Sequence, residues 1–327
     1  MNERFLRLLL MAAALIGLSL LSLSLGGGNE LPAALWGGDR IASLIIWEIR
    51  LPRILLAISG GASLALAGAA LQAILMNPLV DPYLLGISAG ASLGAALAIV
   101  LGFSFLSGAF WLVGNAFIFA LLVALMVYAL ARSRQAGSYT IILAGLAMNF
   151  IFSALVGGLQ YMAQEAGLRD LMFWIMGSLW NAGYTGVIFI FLILLPSLII
   201  LLSQAWNLNS LAAGAETAHS LGVNLSRLHL LVVLVACLLT AAAVSFMGAV
   251  SFVGLVGPHI GREITGGDHR FLLPGAALCG AILLLGADTL ARLVLWPMDL
   301  PVGIMTALLG GPFFIYLLLK GRKNSWL

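Results

Sequence analysis

Leu192-Ile193-Leu194-Leu195-Pro196-Ser197-Leu198-Ile199-Ile200-Leu201-Leu202 decides the fold. The run is apolar on every side, shows no alternation of apolar and polar positions, and extends without a charge from Tyr184 to Ser203. An α-helix rising about 1.5 Å per residue needs roughly 20 such residues to cross the hydrocarbon layer. Within lipid every backbone N–H and C=O needs an internal partner, which leaves helices or a closed barrel, and barrel strands alternate. The run is therefore a membrane helix, and it is one of many. Of 327 residues, 62% are hydrophobic and 8% are charged, against about 25% charged in a soluble domain.

Working outward, ten crossings are expected near residues 5–25, 51–76, 84–106, 109–130, 140–163, 184–203, 228–247, 249–265, 271–293 and 301–319. The chain is thus expected to be an all-α integral membrane protein: one compact transmembrane domain over residues 1–327, with about ten transmembrane helices. The first run follows Arg4 and Arg7 but is longer than a signal-peptide core and lacks a following cleavage pattern, so it is kept as a helix. An even number of crossings puts both termini on one side. With the termini in the cytoplasm, ten Lys and Arg lie inside and five outside (Arg40, Arg50, Arg53, Arg169 and Arg292), which follows the positive-inside rule. Cys237 and Cys279 lie within apolar runs and are read as free thiols.

Small residues one turn apart, as in Gly61, Ala65 and Ala69 or Gly86, Gly90 and Gly94, read as helix-packing seams. The two prolines of Asn77-Pro78-Leu79-Val80-Asp81-Pro82 forbid a continuous helix and place a rigid element at the inner end of the second crossing; a tight turn and a narrowing of a pathway fit equally. Residues 204–225 form a long inner connection that can hold two short helices broken at Gly214 and stopped at Gly222. A docking elbow and an amphipathic loop on the membrane have equal weight. At the outer end of the second crossing stand Arg50 and Arg53; Arg292, four residues after Asp288, stands on the same side. Either these arginines snorkel to headgroups or they await carboxylates of an extracytoplasmic partner.

Ionisable groups within lipid usually mark a pathway. Asp288, His259 and Glu263 are the candidates, and they form no regular relay. That pattern argues against a proton-coupled transporter and against a charged selectivity ring. The four histidines lack metal-ligand spacing, and no phosphate-binding loop or hydrolase motif is present. Trp174, Met176 and Trp180 could touch a flat macrocycle, although such residues more often pack or anchor at an interface.

Several segments jointly resemble the permease family of ATP-binding-cassette importers for iron siderophores, haem and vitamin B12. They are Arg50-Leu51-Pro52-Arg53, Asn77-Pro78-Leu79-Val80-Asp81-Pro82-Tyr83-Leu84-Leu85-Gly86, Phe173-Trp174-Ile175-Met176-Gly177, Gly254-Leu255-Val256-Gly257-Pro258-His259, Asp268-His269-Arg270, Ala287-Asp288-Thr289-Leu290-Ala291-Arg292 and Leu300-Pro301-Val302-Gly303. The resemblance implies a subunit of the bacterial-type inner membrane that works as a homodimer with two ATP-binding-cassette subunits and a substrate-binding protein outside. It implies no cofactor beyond the ATP that the partners use, no ATPase site of its own and no nucleic-acid partner. Arg50, Arg53 and Arg292 match binding-protein docking positions. Gly214, Glu216, Leu221 and Gly222 match the coupling segment within residues 204–225, and Asn77, Leu79, Ser138 and Tyr139 match cytoplasmic gate positions. Tyr139 replaces a smaller residue of a cobalamin relative, and Asp299 stands where many members carry Glu. The family's helices two to five and seven to ten are similar to an inverted repeat. The expected mechanism is alternating access, and the rival is a secondary transporter driven by an ion gradient.

Overall fold

The computed structural model describes residues 3–25, 40–133, 138–294 and 298–321. Among them stand ten helices of thirteen residues or more: α1 (Glu3–Ser24), α2 (Leu51–Ile74), α3 (Ile87–Leu101), α4 (Trp111–Ser133), α5 (Ser138–Met162), α6 (Tyr184–Ser203), α7 (Leu225–Met247), α8 (Val253–Thr265), α9 (His269–Val294) and α10 (Val302–Gly321). A short helix, Arg40–Leu44, and a π-helical turn, Ile45–Arg50, run straight into α2. Trp36 and the rest of the preceding loop lie outside the described residues.

Seven of these segments are long and apolar enough to cross a membrane, α3 is a shorter apolar helix, and α10 is apolar over Val302–Leu317. The eighth expected crossing, 249–265, is present as a shorter helix. Its helix has only 13 residues, about 20 Å of rise, which is less than the roughly 30 Å of a hydrocarbon layer. Residues 248–251 leave the helix because Gly248 and Phe252 adopt φ +69° each. Such irregular backbone is tolerated at membrane depth only where protein covers it. Here Ser178 N donates to the Met247 carbonyl at 2.8 Å, and Val250 N donates to the Tyr83 hydroxyl at 2.9 Å.

Helix α2 is the axis of the bundle, and its small residues explain why. A Cβ on Gly61 would overlap the carbonyl of Gly280 in α9, one on Gly68 would overlap the carbonyl of Gly254 in α8, and one on Gly257 would meet Ala65 at 2.7 Å. Backbones that close leave no room for a side chain, so α2, α8 and α9 pack as one block. A second seam joins α3 to α4, where Gly94 lies against the backbone of Asn115 and Gly90 against the Phe119 carbonyl. Helices α1, α4, α5 and α6 turn large apolar side chains outward, among them Leu10, Leu125, Phe150 and Ile199.

Candidate functional site

Four features lie along the block, and the first is an ion network at its outer end. Pro52 opens α2 and Arg53 follows it. Arg53 Nε donates to Asp288 Oδ1 at 2.9 Å, Nη2 approaches the same oxygen at 2.9 Å, and Nη1 donates to Asp299 Oδ2 at 2.7 Å. Arg292 Nε lies 3.3 Å from Asp288 Oδ2, and its Nη2 donates to Ser22 Oγ at 2.6 Å. Arg50 Nη1 donates to the Leu23 carbonyl at 2.8 Å. The Asp288 carboxylate is wholly buried, whereas the Asp299 side chain is 23% exposed. The three arginines singled out from the sequence are thus brought together and tied to α1, α9 and the turn before α10. Asp299 was seen in the sequence only as a shorter substitute for Glu; its bond to Arg53 spans 246 residues.

Beside this network opens a cavity of about 970 Å³, lined by Arg53, Asp299, Asp170, Trp111, Trp174 and Trp180 among others. One wall is the helix Glu165–Ile175, which sequence reading left as connection. Its eleven residues are too few to be read as a crossing. Two of the three aromatic and Met candidates, Trp174 and Trp180, line the cavity, while the Met176 carbonyl packs against Gly303.

At the other end of α2 the chain turns through Asn77–Asp81. Leu79 N donates to Asn77 Oδ1 at 3.0 Å, Gln72 Nε2 donates to the Val80 carbonyl at 3.1 Å, and Asp81 Oδ1 accepts from Tyr83 N at 2.9 Å. Asp81 thereby caps the 3₁₀ turn Pro82–Leu85. Burial pushes its carboxyl up to about 6, partly offset by the Tyr83 N–H. Leu79 is exposed. Ser138 and Tyr139 open α5, and their side chains lie outside the described residues.

The inner connection consists of the helices Ala205–Ala212 and Ala215–Ser220. Gly214 (φ +112°) breaks them and Gly222 (φ +83°) ends the second, conformations that disfavour any residue with a Cβ. Leu208, Leu211 and Ala218 are buried against the bundle, while Glu216, His219 and Leu221 point outward; Leu221 is 67% exposed. The first helix meets the start of α9: Asn209 Nδ2 donates to Asp268 Oδ1 at 2.8 Å, and the Arg270 guanidinium lies 4.5 Å from the Trp206 ring. Hydrogen bonds from Arg270, aided by Asn209, hold the Asp268 carboxyl well below the usual carboxylate range. Among the described residues, no three His, Cys, Asp or Glu side chains gather as a metal site.

Residues 9–320 match the FecCD transport family. The chain is 44% identical over 282 residues to the hemin transport system permease protein of Yersinia pestis, covering 85% of this chain and 84% of that one. It is 40% identical to the vitamin B12 import system permease protein of Klebsiella pneumoniae, covering 99% and 97% of the two chains. Among solved structures, a metal-chelate type ABC transporter in an inward-facing conformation superposes with a TM-score of 0.86 at 34% identity, covering 96% of this chain and 98% of that one.

Proposed function

Because the chain belongs to the FecCD transport family, and is thus a multi-pass permease subunit of an ABC importer, we propose the following division of labour. Two copies of the chain line a path for a ferric siderophore, haem or cobalamin. Two ATP-binding-cassette subunits bind inside and hydrolyse ATP, and an extracytoplasmic binding protein delivers the chelate. The chelate class is supported by the names of the relatives, which carry haem and vitamin B12.

The observation that carries the coupling reading is Leu221. A leucine two-thirds exposed, flanked by Gly222 in a left-handed conformation, stands at the tip of a folded elbow. A leucine held out on a rigid turn can enter a partner's groove with little ordering cost. Residues 204–225, with Gly214, Glu216, Leu221 and Gly222, are the proposed ATPase contact. Asn77, Leu79, Ser138 and Tyr139 are the proposed cytoplasmic gate, at the mouth below α2.

Arg50, Arg53 and Arg292 are the proposed binding-protein contact. Their burial adds a condition: an incoming carboxylate competes for Arg53 with Asp299, its more exposed partner, while Asp288 stays in place. An ion-driven carrier is the alternative; the pairing of Asp288 with Arg53 and Arg292 weighs against it, because a coupling carboxylate must be free to bind and release its ion.

The test is co-purification of the tagged chain with the products of its neighbouring genes, followed by ATP hydrolysis, mass spectrometry of bound species and uptake in vesicles. Two copies of the chain with two ATPase subunits, and ATP-dependent uptake abolished by Leu221→Asp, are expected. A lone chain that moves solute on an ion gradient would refute the proposal.

A further inference from the structure

Asn209 lies 59 residues before Asp268 in the chain, yet its side-chain amide makes three hydrogen bonds to the start of α9. Besides the bond to Asp268, Asn209 Oδ1 accepts from His269 N at 2.9 Å and from His269 Nδ1 at 2.7 Å. His269 is 3% exposed. Around this joint, Arg270 grips Asp268 at 2.6 Å and Arg4 of α1 approaches it at 3.4 Å. The elbow's second helix, by contrast, buries only Ala218.

From His269 the contacts continue without a gap. Helix α9 touches α2 backbone to backbone at Gly61 and Gly280, and a Cβ on Gly261 of α8 would lie 3.0 Å from Ala276 N. Helix α2 then runs directly into the Asn77–Asp81 turn, which Gln72 fastens to it.

We propose that Asn209 is a positioning residue for energy coupling: it clasps the elbow to the α2–α8–α9 block, so that a displacement of the elbow carries the Asn77–Asp81 mouth with it. The inference rests on the elbow being where the ATPase acts. The chemistry requires an amide, since the position must donate to a carboxylate and accept from two N–H groups. Leucine would fill the space with neither function, and aspartate alone would face Asp268 with a second negative charge.

Two measurements test it. In the purified chain in detergent, Asn209→Leu is expected to raise amide hydrogen exchange about tenfold in residues 205–212 and 269–273 together. Asn209→Asp, which keeps an acceptor for His269 but turns a carboxylate instead of an N–H donor toward Asp268, is expected to raise exchange in the same two segments. Unchanged exchange in Asn209→Leu, or a rise spread over the whole bundle, overturns the clasp.

In the complex reconstituted into vesicles, Asn209→Leu is expected to retain ATP hydrolysis while transport per ATP falls about tenfold. Undiminished coupling, or hydrolysis and transport falling in parallel, overturns the coupling role. A wild-type chain that binds no ATPase subunit overturns the importer reading instead, and hydrogen exchange still decides whether the clasp exists.

Discussion

Replacing Asp288 with Asn is expected to destabilise the bundle far more than replacing Asp299 with Asn, although both carboxylates bind the same guanidinium. Asp288 is wholly buried and shared between Arg53 and Arg292. An amide of the same shape keeps one acceptor for Arg53 but turns an N–H donor toward the Arg292 Nε, 3.3 Å away, or the reverse. It also leaves Arg53 with Asp299 as its remaining carboxylate partner among the described residues. Removing one partner of a buried ion pair costs about 3–5 kcal/mol, because the surviving charge remains buried without compensation. Asp299 accepts one bond at 2.7 Å and is 23% exposed, so water replaces much of what is lost and the cost is about 1 kcal/mol.

Thermal unfolding of the detergent-solubilised chain should therefore show Tm lowered on the order of 10 °C by Asp288→Asn and by only about 3 °C by Asp299→Asn. The combined change Arg53→Met, Asp288→Leu and Arg292→Met should recover much of the loss, since apolar packing of similar volume often equals a buried ion network. Equal losses for the two Asp variants, or a larger one for Asp299→Asn, would refute this reasoning about burial.

Two further perturbations probe the block. Gly280→Ala would drive its Cβ into the Gly61 carbonyl and Ala65 and should destabilise by about 1–3 kcal/mol. Gly17→Ala in α1, where nothing lies within 4 Å, should be neutral or stabilising by up to about 1 kcal/mol; denaturant titration separates the two. For Asp81, the folded carboxyl titrates at about 6 against an ordinary 3.8, so the folded chain holds its proton more tightly. Stability is then lost as pH rises through that window and the penalty, at most about 3 kcal/mol, is complete above it. Asp81→Asn keeps an acceptor for Tyr83 N and should raise Tm relative to wild type above the window while matching it below, as Tm against pH will show.

Composition and pattern alone determined that the chain crosses a membrane as helices, because lipid offers the backbone no other partner. Uninterrupted apolar runs such as Leu192–Leu202 placed most crossings within a few residues of their observed bounds. Pro78 and Pro82 marked the turn below α2, and Gly214 and Gly222 divided the elbow, since each imposes a backbone conformation that depends on its immediate neighbours.

What the tertiary structure decided is what meets across long stretches of chain. The span expected at 249–265 became the 13-residue α8, with the Tyr83 hydroxyl and Ser178 N pairing the Val250 and Met247 backbone groups that a continuous helix would have paired. The outer arginines, legible as a set of cations, proved to be held by Asp288, Asp299, Ser22 and Leu23. Asn209 carried no signal at all until folding set it against Asp268 and His269. Hydrophobicity and proline act within a few residues of where they stand and can be read in order. Hydrogen bonds and ion pairs between distant segments depend on how the helices pack, and that is fixed only when glycine seams such as Gly61 against Gly280 bring the backbones together.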